Sequence, residues 1–347
     1  MSMKKTALAH ANRLFGLAGA ELTSKWELDV LRDRFGGRLE HSYRNTPLPG
    51  SATDVLRGDH PRLLDLKARY RDIDLPMVDH SRWQAEFVAS DIELRYFRGD
   101  NAYVFQYRDF NTDSDFLLSA YYLKSIDRMG LFSRLSEDEL FGIYAFPFNN
   151  DGLVSRDLLD SIAEIYFLED NLQLSAGNRL RILDIGAGYG RFAHRMTTAF
   201  PETVDVFCVD AVAESTFLSQ FYLQFRGVSD RAHVIPLDEI NTQLDGQPID
   251  LATNIHSFSE CTLSSVCGWL DLLRDHEVRY LMIVPNAEDN GGQRLITLEA
   301  DHRRIDYRPE IERRGYRLKE CRPKFEAPSV QQYGVSPTHY YLFELDA

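Results

Sequence analysis

The segment Leu183-Asp184-Ile185-Gly186-Ala187-Gly188-Tyr189-Gly190 gathers the residue types from which a ligand site is made. An apolar strand that ends in closely spaced glycines and opens a helix lets a ligand lie against bare backbone. The spacing is GxGxG, and Arg191 stands where a GxGxxG dinucleotide fingerprint has its last glycine. Asp184, two positions before Gly186, sits badly beside a pyrophosphate and suits a ligand that carries an ammonium group. No Gly-Lys-Ser/Thr follows the loop, which excludes a P-loop. Two further acids fall at matching places. Asp210 closes VDVFCVD, 20 residues beyond Gly190, where a carboxylate can accept both hydroxyls of a ribose. Asp238 follows HVIPL, placed to meet an adenine amino group.

An adenosyl group with an ammonium-bearing tail is S-adenosylmethionine (SAM), and these positions predict that cofactor. The elements that must hold them are legible from about residue 178 onward, where short β-rich runs alternate with helical ones, the pattern of a parallel sheet with crossover helices. Strands are expected at 179–187, 204–211, 233–237, 249–257 and 278–286. Helices are expected at 191–200, 214–225 and 264–276. Residues 307–318 read as a helix running into a strand, and HYYLFEL (339–345) closes the chain as a strand. Before this part, 114–127 and 155–170 are helices. The first has Leu117, Leu118, Tyr121, Tyr122 and Ile126 on one face; the second has Leu158, Leu159, Ile162, Ile165 and Tyr166, with Ser155 as N-cap. Residues 1–150 therefore form a mainly helical N-terminal region and 151–347 the cofactor domain, with 1–100 legible only as mixed and mostly helical.

LDIGAGYGRFAHRM (183–196) resembles motif I of the class I SAM-dependent methyltransferases. VSRDLLDSIAEIYFLE, NIHSFSEC and EDELFG resemble, more narrowly, a bacterial family of sugar O-methyltransferases, and extend the likeness over about residues 100–347. The resemblance implies a Rossmann-like α/β fold with a seven-stranded sheet whose last strand runs antiparallel. GYRLKECRPKF and HYYLFEL supply its closing hairpin. It also implies a sugar, or a glycosylated small molecule, as methyl acceptor.

Methyl transfer from a sulfonium is an in-line displacement, so the protein must align the acceptor and remove its proton. A sugar hydroxyl is a weak acid, and a general base is expected at the carboxyl ends of the strands. His256, after the fourth strand, is the candidate base. A strand-end histidine that caps the next helix is the competing reading. Glu260 would orient the imidazole or bind a sugar hydroxyl, or else serve as a carboxylate at a helix N-terminus. Asn254 would touch the methionine end of the cofactor. His339, His302 and Tyr189 are weaker candidates, and Tyr103, Phe105 and Tyr107 are sugar-stacking aromatics or core. Asn254, His256, Asn286, Asp289 and Asn290 offer too few hard oxygen donors for magnesium, so no metal is expected.

Composition sets the outer limits. Of 347 residues, 44% are hydrophobic and 27% charged, as in an ordinary globular protein. With 39 basic and 53 acidic side chains, the net charge of −14 opposes a nucleic-acid partner. Cys208, Cys261, Cys267 and Cys321 show neither CxxC spacing nor paired histidines, and read as small buried hydrophobes of a reducing compartment. His10, Asn12 and Arg13 interrupt the N-terminal apolar run, and no stretch reaches the roughly 20 residues of a membrane span. A cytoplasmic protein is expected, with the N-terminal region as lid, acceptor wall or homodimer contact. The remaining readings are methylation of a non-sugar natural-product hydroxyl or amine, and a non-catalytic SAM-binding or assembly protein.

Overall fold

The β-branched runs of the C-terminal part assemble into one seven-stranded sheet in a computed structural model of the chain. The structure describes residues 48–79, 81–84, 87–89, 92–99, 113–150, 152–286 and 291–346. All belong to the compact unit Thr46–Ala347. Tyr103, Phe105, Tyr107, Asp289 and Asn290 lie outside the described residues.

The sheet comprises β3 (Leu180–Ile185), β4 (Val204–Val209), β5 (Ala232–Ile235), β6 (Leu251–Ile255), β7 (Tyr280–Val284), β8 (Tyr316–Pro323) and β9 (His339–Leu345). Their order is β5-β4-β3-β6-β7-β9-β8. The strands β3 to β7 pair in parallel, and β9 runs antiparallel between β7 and β8. The Rossmann-like α/β fold with an antiparallel last strand is therefore present. The central strands β3, β4, β6 and β7 are largely buried, which is why their sequences are mostly apolar runs, whereas the edge strand β8 alternates with exposed residues. Ile182, Met282 and Leu342 join one core cluster, whereas their neighbours Leu183, Ile283 and Phe343 join the other. The first face is covered by α3 (Arg156–Leu172) and α4 (Arg191–Ala199), and α5 (Ala213–Phe225) belongs to the same cluster. The second face is covered by α6 (Leu263–Asp275).

Helices α1 (Pro61–Arg71) and α2 (Asp113–Ser125) precede a short antiparallel hairpin, β1 (Ala145–Pro147) with β2 (Leu153–Ser155), that the sequence pattern does not announce. Proline opens α1 where its missing N–H costs nothing. Ser155 caps α3 as expected, accepting from the Leu158 N–H at 3.1 Å. No helix among the described residues is long and apolar enough to cross a membrane.

Helix α3 departs from the amphipathic pattern. Every residue from Arg156 to Leu168 is buried, including Asp157, Asp160 and Glu164. Its charged side chains face other charges instead of water. Arg191 makes a forked pair with Glu164 (2.8 and 2.9 Å), and Lys324 Nζ binds Asp160. Arg98 stands 3.6 Å from Asp157 and bonds Glu137 at 2.7 Å, and Arg195 completes the set by bonding Glu137 at 2.8 Å. Burial pushes the Glu137 carboxyl up, but Arg98 and Arg195 prevail and hold it down at about 2.

Removing one member of such a set leaves a buried charge without compensation, at a cost of about 3–5 kcal/mol. Glu137→Ala is expected to lower the stability by that amount in urea unfolding, while Arg317→Ala, at an exposed pair with Asp346, leaves the midpoint unchanged. The contribution of Glu137 is complete above 4.5 and is lost as the pH falls towards 2, because its folded carboxyl titrates below the free one.

Candidate active site

The strand order reverses direction at β3, whose neighbours are β4 on one side and β6 on the other. The loops after these strands part there and leave a crevice at the carboxyl ends, the usual place for a ligand in an open α/β sheet. A small cavity opens at this point. Gly186 and Gly188 (after β3), Asp210 and Val212 (after β4), and Ser257 and Cys261 (after β6) line it, together with Met77, Trp83 and Trp269.

The glycine loop is needed for its backbone shape and its closeness. Gly186, Gly188 and Gly190 have φ of 71°, 57° and 87°, where side chains are strained. A Cβ on Gly186 would stand 2.7 Å from the Ser257 Cβ and fill the cradle. Asp210 fixes the loop from the neighbouring strand. Its Oδ2 accepts from the Gly188 N–H and its Oδ1 from the Val212 N–H, both at 2.9 Å. Burial raises this carboxyl to about 6, against the opposing hydrogen bonds from Val212 and Gly188. Asp184 lies in register between Cys208 of β4 and Thr253 of β6. It accepts from Thr253 Oγ1 at 2.8 Å, and burial raises it to about 7.

The other expected site residues divide. Asn254 is buried and engaged: Nδ2 donates to the Ile185 carbonyl (3.0 Å) and Ser257 Oγ (2.6 Å), and Oδ1 accepts from the Phe258 N–H. It ties the end of β3 to the turn after β6 and has no donor left for a ligand. Asp238 is held by Arg69 of α1 through two bonds of 2.7 and 2.8 Å, so it docks α1 rather than lining the cavity. Glu260 does not orient His256. Its carboxylate accepts from Trp83 Nε1 (2.8 Å), Arg82 Nη1 (3.0 Å) and Asn286 Nδ2 (3.2 Å). Tyr189 packs against Phe97 and Tyr222, with its hydroxyl on Asp157. His339 binds the Gly291 carbonyl at 3.0 Å, and His302 lies in an exposed turn. Of the cysteines, Cys208 and Cys261 are buried as expected, but Cys267 is half-buried and Cys321 exposed.

His256 is different. It precedes the cavity residue Ser257 and has φ 71° and ψ −36°, a strained conformation for a side-chain-bearing residue. Bonds from its N–H to the Val284 carbonyl (2.7 Å) and from the Ser259 N–H to its carbonyl (3.0 Å) hold it there. Its half-buried imidazole makes no hydrogen bond to any described residue. Burial, with Arg156, Arg191 and Lys324 nearby, pushes it down to about 3 against the pull of Asp160. The ring is therefore neutral at physiological pH and able to accept a proton. Tyr340, which sequence reasoning did not single out, is buried next to Tyr341, the partner of Ile283 on β7, and lies near the same Asp160 and Arg191. Met77, Trp83 and Trp269 were also missed: the first two lie in a stretch without readable periodicity, and the third is one apolar residue among many in a helix.

No protein-family model matches the chain, and no curated protein sequence does. Among solved structures, the chain is similar to a SAM-dependent methyltransferase from Aquifex aeolicus (16% identity over 53% of this chain and 89% of that one, TM-score 0.38). It is also similar to the cyclase SpnF (14% identity, 56% and 83% covered, TM-score 0.38) and to the mitomycin 7-O-methyltransferase MmcR (16% identity, 54% and 57% covered, TM-score 0.36). Overlaps of this size add nothing to what the strand order shows.

The state of His256 has a measurable effect. A free imidazole takes up its proton at 6.5 and the folded one only at about 3, so stability falls as the pH drops through that window. His256→Asn is expected to flatten this part of the stability–pH curve in urea unfolding. Equal slopes in the two proteins would mean that the ring protonates in place.

Proposed function

We propose that the protein is a SAM-dependent methyltransferase that delivers the methyl group to a hydroxyl of a sugar or a glycosylated small molecule. The observation that carries the reading is the cavity at the reversal point of the sheet, where the backbone of Gly186 and Gly188 meets the carboxylate of Asp210. A nucleoside fits this set: bare backbone for close approach, and an acid for ribose hydroxyls. Asp184, behind the loop, supplies the charge for an ammonium group. Bound SAM supplies an electrophilic methyl on sulfur.

What remains for this chain is alignment and proton removal. His256 receives the hydroxyl proton of the acceptor. A ring titrating at about 3 is a weak base, but the proton becomes strongly acidic once the oxygen begins to bond to carbon. Burial, with the neighbouring cations second, keeps the ring unprotonated before the transfer. The sugar as acceptor is supported by the resemblance of VSRDLLDSIAEIYFLE, NIHSFSEC and EDELFG described above.

Calorimetric titration with SAM and S-adenosylhomocysteine, with NAD as control, tests the cofactor. Micromolar binding of both adenosyl ligands and none of NAD is expected; absence of adenosyl binding sinks the proposal. Asp210→Ala removes charge-assisted hydrogen bonds worth about 1.5–3 kcal/mol and should weaken both adenosyl ligands accordingly. Because Asp184 titrates at about 7 in the free protein and an ammonium prefers its ionised form, affinity should rise with pH through that value, with proton release. Methylthioadenosine, which lacks the ammonium, should show no step there. His256→Ala is expected to bind the cofactor normally and lose turnover in a screen of sugar acceptors.

A further inference from the structure

The apolar wall of the cavity comes from outside the sheet. Met77 and Trp83 belong to residues 76–79 and 81–83, a strap that lies on the start of α6, and they line the cavity together with Trp269 of that helix. The strap is seated by a missing side chain: a Cβ on Gly268 would stand 2.9 Å from Pro76 Cβ and 3.1 Å from Met77 Sδ. Ser265 Oγ donates to the Met77 carbonyl at 3.1 Å and Thr262 Oγ1 to the Asp79 carbonyl at 2.7 Å. At its far end Glu260 takes the Trp83 indole N–H and the Arg82 guanidinium together. The single polar atom of Trp83 is thus engaged by Glu260, and what the side chain offers a ligand is ring surface. The lining thus combines backbone and carboxylate with indole and thioether. That combination takes a molecule with a hydroxylated ring at one end and a flat heterocycle at the other.

We propose that Trp83 and Trp269 form the purine-binding wall of the cofactor site, and that Glu260 is a positioning residue that holds Trp83 against the purine. This rests on the adenosyl-cofactor reading given above. Base–aromatic stacking is worth about 1–3 kcal/mol per base, or roughly 5- to 150-fold in affinity.

The full-length protein is titrated with S-adenosylhomocysteine and with methylthioadenosine, followed by calorimetry and by tryptophan fluorescence. Stacking on indole is expected to quench the emission. Trp83→Phe should keep affinity within about threefold and lose much of the quench, because a phenyl ring still stacks. Trp83→Ala should weaken both ligands at least about tenfold. Glu260→Ala should weaken them nearly as much, and the double variant should bind no more weakly than Trp83→Ala alone, since the two residues act as one unit. A merely structural Glu260 would give additive losses. If the wild-type protein binds both ligands while Trp83→Phe and Trp83→Ala leave affinity and quench unchanged, the purine lies elsewhere and this inference is overturned, with the cofactor assignment intact. If the wild-type protein binds neither ligand, the cofactor assignment itself fails.

Discussion

Two backbone N–H groups converge on the carboxylate of Asp210, and the geometry of the crevice depends on that convergence. One belongs to the glycine loop after β3 and the other to the turn after β4. Without a shared acceptor, a loop with three residues at positive φ would sample many shapes, because glycine loses more freedom on ordering than any other residue. Asp210 resolves this by acting within the scaffold while standing in the cavity wall. Asn254 does the equivalent on the other side of β3, joining it to the turn after β6. The cavity is therefore a preorganised gap between three clamped loops, and its shape is set before any ligand arrives.

A second constraint acts from behind. The charges along α3 are buried against Arg191 of α4, Lys324 beyond β8 and Arg98 of the N-terminal region, and Arg195 of α4 pairs with Glu137 beside them. Such pairs contribute little net stability relative to apolar packing, but they are specific about geometry. Arg191 begins the helix that the glycine loop opens, and Tyr189 within the loop reaches Asp157 on α3. The loop is held from the sheet side by Asp210 and from the helix side by α3.

The sheet was readable because its central strands are largely buried, which forces short β-branched runs between turn residues. HYYLFEL, read as 339–345, is β9 to the residue, and the helices after β3 and β4 begin within one residue of their expected starts. The acids were readable as positions after strands, and less so as roles. Asp210 reaches the cavity, whereas Asp238 and Glu260 are drawn away by Arg69, Arg82 and Trp83. Those partners lie in residues 61–84, so no pattern near either acid could reveal them. The polar side of α3 misled for a related reason. Periodicity distinguishes apolar from polar faces, but not a polar face in water from one opposite buried charges.

Glu137 and Arg98 have a consequence for how this chain can be divided. Both lie before residue 150, yet they neutralise Arg195 and Asp157, which belong to the part that carries the sheet. Cutting the chain between the hairpin strands would leave charges of each sign stranded in an apolar interior on either side of the cut. The seven-stranded sheet is therefore not a portable module that could be separated from the residues before it. A change of charge on either side of that cut obliges a compensating change on the other.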